Sequence, residues 1–174
     1  MSERKGELYV RRGSWKQRLS LLSLTVLLLW AAAPAAAQDR NDFNQKVISE
    51  FRANQGKVGG QFANRPLLLL TTTGAKSGRT ITRPLAYTRD GDRLVIIASF
   101  GGGPKNPAWY HNLVAHPEAT VEVGSERFQV RATVASGEER QRLYDNQAKQ
   151  IPAFAEYQKK TTRQIPVIVL TRIK

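Results

Sequence analysis

Ser99-Phe100-Gly101-Gly102-Gly103-Pro104-Lys105-Asn106-Pro107-Ala108-Trp109-Tyr110-His111-Asn112-Leu113-Val114-Ala115-His116-Pro117 is the stretch on which the reading turns. The apolar run Leu94–Ala98 delivers the backbone into three consecutive glycines. Pro107 stands where a helix can start, because its missing N–H would be unpaired there anyway. Trp109, Leu113 and Val114 follow at helical spacing, and His116-Pro117 closes the segment. The stretch therefore reads as strand, glycine loop, short helix. Free backbone amides and the positive end of a helix dipole then meet at one point, which suits an anionic group. Lys105, inside the loop, adds a full charge. A tight turn that needs glycine for φ > 0 is the plainer alternative.

Around this centre the chain alternates short strands and turns. Phe43, Val47, Ile48 and Phe51 mark an amphipathic helix from Asn44 to about Asn54, preceded by a polar, frayed segment from Gln38. Leu67–Thr72 is a continuous apolar run of strand length. Thr73–Thr80 follows, with two glycines, two basic residues and three hydroxyls. It forms either a second anion-binding loop or an ordinary hairpin loop, and it lacks the residue order of a nucleotide P-loop. A strand begins at Leu85, and Arg89-Asp90-Gly91-Asp92 turns it into Arg93–Ala98. Ala119–Val123 and Phe128–Val134 alternate about Gly124-Ser125. Glu138–Lys149 is a polar helix anchored by Leu143, Ile151–Tyr157 adds a further turn or two, and Ile165–Leu170 is a closing strand. Five to six strands in hairpin order predict a small antiparallel barrel with helices packed on it, since closure removes exposed edges.

The 174 residues carry a net charge of +13, no cysteine and two histidines. Without cysteine there is no disulfide and no thiolate chemistry, and two histidines five residues apart make a poor metal site. Residues 1–37 read as a signal peptide, with a basic region to Arg18, an apolar region Leu19–Trp30, and Ala35 and Ala37 in small-x-small order before Gln38. Arg11-Arg12 raises the twin-arginine export route, and a retained membrane anchor is the alternative. The expected arrangement is a leader over 1–37, a single cofactor-binding domain over 38–174, and an exported or membrane-anchored protein. The mature part keeps a charge of +9, but its basic residues are scattered and not interleaved with an aromatic platform, so no nucleic-acid partner is expected.

From about Asn44 to Lys174 the chain resembles the deazaflavin-dependent nitroreductase family of split-barrel proteins. The resemblance rests on Thr71–Gly78, Ala98-Ser99, Gly101-Gly102 with Lys105–Leu113, and Glu156–Gln158 through Arg163–Val167. It implies an α+β fold, mainly antiparallel: a split β-barrel of the FMN-binding type with helices packed on it. It also implies coenzyme F-420, a hydride carrier with an anionic phosphate and polyglutamate tail. By that resemblance Lys76, Ser77, Gly78, Ser99, Gly101, Gly102, Lys105, Pro107, Trp109 and Asn112 bind the cofactor. Asn112 and Trp109 have structural alternatives, a helix-to-loop hydrogen bond and core packing. Phe154 and Tyr157 face the substrate, and Tyr157, then Ser99, would donate a hydrogen bond to the acceptor as negative charge develops. Family members commonly carry arginine where this chain has Ile81, often lysine at Phe100, and tyrosine at Ala86, Ile151 and Phe154. The reaction implied is hydride transfer from reduced F-420 to a quinone or nitroaromatic, membrane quinones included. The alternatives are an FMN-binding reductase on the same barrel, or a non-catalytic carrier of an anionic or tetrapyrrole ligand.

Overall fold

The computed structural model describes residues 32–173. The leader's basic region and its apolar run Leu19–Trp30 lie outside the described residues, and no described helix is long and apolar enough to cross a membrane. The chain divides after Asn41, and the unit from Asp42 onward carries every strand.

Helix α1 runs from Ala32 to Ala53, twelve residues earlier than the periodicity predicts. Gln38–Asn44 is helical rather than frayed. Alanine is the best helix former, and Pro34 falls in the first turn, where it is tolerated. Six strands follow: β1 Leu67–Thr73, β2 Thr80–Asp90, β3 Arg93–Ile97, β4 Glu118–Val123, β5 Glu126–Val134 and β6 Val167–Arg172. Helix α2, Ala108–Ala115, precedes β4, while α3, Gly137–Gln150, and α4, Ala153–Lys159, lie between β5 and β6. The strands close into an antiparallel barrel in the order β1-β2-β3-β6-β5-β4.

The three continuous apolar runs are explained by burial on both faces. Side chains alternate across a strand, so Leu68 and Leu70, Leu94 and Ile96, and Ile168 and Leu170 fill the barrel interior. Their neighbours point outward and are also buried. Leu67 and Leu69 pack against Val47, Ile48 and Phe51 of α1, with Phe62 at the edge. Val95, Ile97, Val167 and Val169 pack under α3 and α4 with Leu143, Tyr144 and Phe154.

Strand β2 starts five residues before the predicted point because Pro84 and a half-exposed face hide the pattern. Its register accounts for both. Residues Thr80–Ala86 pair only with β1, and Tyr87–Asp90 pair only with β3. The barrel is thus split along the first half of β2. A proline inside the strand costs no second ladder there.

Candidate functional site

Beside that split lies a cleft of about 260 Å3. Its walls come from five separate segments: Phe62 and Arg65 before β1, Pro84–Ala86 of β2, Ile97 to Gly101 after β3, Pro107 and Trp109 at the start of α2, and Ile151 to Tyr157 at α4. Of the residues predicted from sequence, Ser99, Gly101, Pro107, Trp109, Phe154 and Tyr157 meet here. Ala86, Ile151 and Phe154, the positions of the three family tyrosines, all line it too. A roomier groove of about 480 Å3, between Leu94, Phe128 and Arg172, contains no predicted site residue. Arg172 there already lies over the Phe128 ring and pairs with Glu126.

The glycine loop is a single tight turn, Phe100–Gly102, on the path from β3 to α2. The sequence predicts free amides here, but two of them are engaged within the turn. The Gly102 N–H donates to the Ser99 carbonyl and the Gly103 N–H to that of Phe100. Gly101 has φ +65°, and a Cβ there would meet nothing within 4 Å, so its missing side chain faces open space. Gly102 is different: a Cβ would fall 2.8 Å from the Tyr157 carbonyl oxygen and 2.9 Å from the Lys160 Cβ. This glycine lets α4 rest on the loop. Pro107 is the residue that caps α2 rather than its first helical residue, with φ −67° and extended ψ. Phe100 has φ +50°, a left-handed conformation that costs an L-residue about 1–2 kcal/mol.

Arg163, not picked out for a role in the sequence, holds this loop from behind. Its Nε donates to the Gly103 carbonyl at 2.9 Å, and its Nη1 to Asn106 Oδ1 at 2.6 Å. Its Nη2 reaches the carbonyls of Ala98 at 3.1 Å and Ser99 at 2.7 Å. All four acceptors are neutral, with no carboxylate partner among the described residues, and burial lowers the pKa of this guanidinium. A second buried arginine supports the same wall. Arg140 donates to the Ile165 carbonyl and to Gln158 Oε1, and desolvation lowers its pKa too. Gln158 in turn donates to the Arg163 carbonyl. The Tyr144 hydroxyl donates to the Phe154 carbonyl at 2.7 Å, which fixes α4 against α3. Polar residues on a polar helix look like a solvated face, so nothing in the sequence marked Arg140 or Tyr144, and Gln158 entered only as part of the resembling segment Glu156–Gln158.

Asn112 is buried, and both ends of its amide are used. Its Nδ2 donates to Thr72 Oγ1 and its Oδ1 accepts the Ala75 N–H, each at 3.0 Å. This is the helix-to-loop bond, and it ties α2 to the Gly74–Arg79 hairpin loop. Lys76, Ser77 and Gly78 are exposed on that loop, outside the cleft wall, as is Lys105 on the other loop. Ser77 Oγ accepts the Arg79 N–H. Neither Lys76 nor Lys105 pairs with an acid among the described residues. The hydroxyls of Ser99 and Tyr157 likewise make no hydrogen bond there, although both residues line the cleft. The Phe154 and Tyr157 rings meet edge to face at 5.5 Å, and Lys160 Nζ lies 6.0 Å from the Tyr157 ring. Trp109, 8% exposed, belongs at once to the barrel core and the cleft wall. Arg65 and Phe62 were not foreseen in the site, because nothing local links them to it.

This chain is 41% identical over 129 residues to an F420H(2)-dependent quinone reductase of Mycobacterium tuberculosis, covering 70% of this chain and 85% of that one. A solved F420-H2-dependent reductase, FDR-A, superposes with a TM-score of 0.57 at 39% identity, covering 64% of this chain and 99% of its own. The haem storage protein HutZ of Vibrio cholerae shares the fold alone, at 14% identity and a TM-score of 0.51. The family model described as F420H(2)-dependent quinone reductase matches residues 44–172. The sequence match spans the barrel, the glycine loop and α4 together, and the chain belongs to the F420H(2)-dependent quinone reductase family.

Proposed function

We propose that this protein is an oxidoreductase that reduces a quinone with reduced coenzyme F-420, in the cleft between the glycine loop and α4. The observation that carries the reading is the pairing of Gly101, whose missing side chain leaves open space, with the unengaged hydroxyls of Tyr157 and Ser99 on the same cleft. The residues fit the group. Backbone can approach a ligand closely at Gly101, and Lys76 and Lys105 offer uncompensated charge for an anionic tail. Ser77 and Gly78 would accompany Lys76, and Pro107 and Trp109 would form the wall for a planar ring. Asn112 acts on that site by holding the Lys76 loop to α2.

When bound, coenzyme F-420 supplies a two-electron hydride donor. The chain's own residues orient and stabilise. Phe154 and Tyr157 border the acceptor, and the Tyr157 phenol donates a hydrogen bond to the oxygen that gains charge, with the Ser99 hydroxyl second. A nitroaromatic presents an oxygen of the same kind and is the second acceptor class. The FMN and carrier readings have less support, since the relatives of substantial identity are named for F420H(2).

Titration of the protein with reduced F-420 and with FMN, followed by menadione, tests this. Tight binding of F-420 and turnover of menadione are expected. Tyr157→Phe should lower kcat by roughly tenfold to a hundredfold, with cofactor affinity kept. Binding of FMN alone would overturn the reading. We further infer export or membrane tethering through residues 1–37, supported by the basic region, the leucine-rich run and the Ala35–Ala37 pattern. The mass of the N-terminus in the exported and membrane fractions decides between cleavage after Ala37 and a retained anchor.

A further inference from the structure

Arg65 is the one charged residue in the cleft lining among the described residues. The other side chains there are apolar, apart from the hydroxyls of Ser99 and Tyr157. No aspartate or glutamate shares the wall, and the Arg65 guanidinium makes no hydrogen bond or ion pair among the described residues. Arg140 and Arg163, behind the site, instead place their donors on backbone carbonyls.

The backbone under Arg65 is fixed. The Arg65 N–H donates to the Phe62 carbonyl at 3.1 Å, and Asn64 between them takes a left-handed φ of +61°, which asparagine tolerates. The Pro66 carbonyl accepts the Tyr87 N–H at 3.2 Å, and Leu67 pairs with Ala86. Arg65 therefore stands just before the start of β1, next to Ala86. Ala86 and Tyr157 pack on one apolar cluster, which includes Ile151 and Phe154. The register thus links Arg65, through Ala86, to the wall where Phe154 and Tyr157 border the acceptor. An acceptor seated there meets a neutral phenol and, beside it, a planar fork of N–H donors. That fork matches a carboxylate with two parallel hydrogen bonds.

We propose that the acceptor of this protein carries a carboxylate on its aromatic ring, and that Arg65 is the specificity residue that pairs with it at the cleft wall. This rests on the reductase function above. Naphthoate and its neutral isostere naphthamide test it, since they share a ring, differ in charge and are not reduced by F-420. Both are titrated by calorimetry into the protein loaded with oxidised F-420, in about 0.05 M and about 0.5 M salt.

At low salt naphthoate should bind roughly fivefold to tenfold more tightly than naphthamide, a modest factor because Arg65 is exposed to solvent. The preference should shrink at high salt. Arg65→Gln should bring the two affinities within about twofold, while Arg65→Lys keeps part of the preference, having the charge without the fork. The kcat/KM ratio of a naphthoquinone carboxylate over its carboxamide should fall in Arg65→Gln by the factor that the calorimetry gives. Equal affinities in the unaltered protein overturn the proposal, and so does a preference that survives in Arg65→Gln. The F-420 Kd of Arg65→Gln, read by fluorescence, should stay within about threefold. A larger rise assigns the guanidinium to the anionic cofactor and overturns the proposal. The melting temperature of Arg65→Gln should hold within about 2 °C, and a larger fall overturns it too, by making Arg65 a structural residue. Failure of the unaltered protein to bind F-420 would refute the reductase reading itself.

Discussion

Replacing Gly102 by alanine should separate α4 from the glycine loop. The new Cβ would lie 2.8 Å from the Tyr157 carbonyl oxygen and 2.9 Å from the Lys160 Cβ, where ordinary contact begins at 3.4 Å. Relief requires the α4 backbone to move by about 0.6 Å, because the nearest obstacle is a carbonyl and not a flexible side-chain end. The left-handed φ of +82° adds its own cost. Together the conformational penalty of about 1 kcal/mol and the overpacking penalty of about 1–3 kcal/mol give a loss of roughly 2–4 kcal/mol. For a domain of this size that lowers the melting temperature by roughly 5–12 °C. Gly101→Ala is the control, since its φ is also positive but nothing lies within 4 Å of its Cβ. It should cost only about 1 kcal/mol. Thermal melts of the two variants side by side isolate the contact between loop and α4. Gly102→Ala should also lower kcat for menadione by displacing Tyr157. Melting temperatures equal within about 2 °C would refute the reasoning, because α4 would then not be seated on the loop.

Arg163→Ala leaves four acceptors of the glycine loop without their donor and should cost about 2–4 kcal/mol in urea unfolding. Arg163→Lys should recover less than half of that, since an ammonium cannot reproduce the planar fork. Asn112→Leu strands the Ala75 N–H and the Thr72 hydroxyl, with an expected loss of about 1–3 kcal/mol. It should also weaken F-420 binding in a fluorescence titration by freeing the Lys76 loop. Asp90 bonds to Arg142 and Arg93, and these hold its pKa down at about 2, below the unfolded value near ~3.9. Its contribution to stability is therefore full above about pH 4 and is lost as the pH falls toward 2. The stability gap between the unaltered protein and Asp90→Asn should close over that window in acid titrations followed by circular dichroism.

The barrel was legible because Leu67–Leu70, Leu94–Ile97 and Val167–Leu170 are apolar on both faces, a pattern that a solvent-facing strand cannot carry. The glycine turn leading into α2 was equally plain, from Gly101 to Trp109. What escaped were features that depend on partners distant in sequence. Residues 80–84 show no alternation, since this half of β2 pairs with β1 alone and is only half-buried, so the sequence pattern starts the strand at Leu85. The early start of α1 was masked by the alanine-rich segment, which suits a leader as well as a helix. Arg163 and Arg140 look like any exposed cations until the fold brings backbone carbonyls around them. Gly102 and Gly101 are identical letters with different reasons, one a close approach of two backbones and the other an opening.

Beyond the packing of Phe154 over the barrel, α4 is tied down by few attachments: a tyrosine hydroxyl on one carbonyl, a glutamine shared between two arginines, and a glycine underneath. It is seven residues long, and no strand depends on it for pairing. Under the proposed function, acceptor preference can accordingly drift by exchanging the partly buried Tyr157, leaving the staves of the barrel and the lysine-bearing loops as they are. On that reading, chemistry and clientele are separately heritable in this chain.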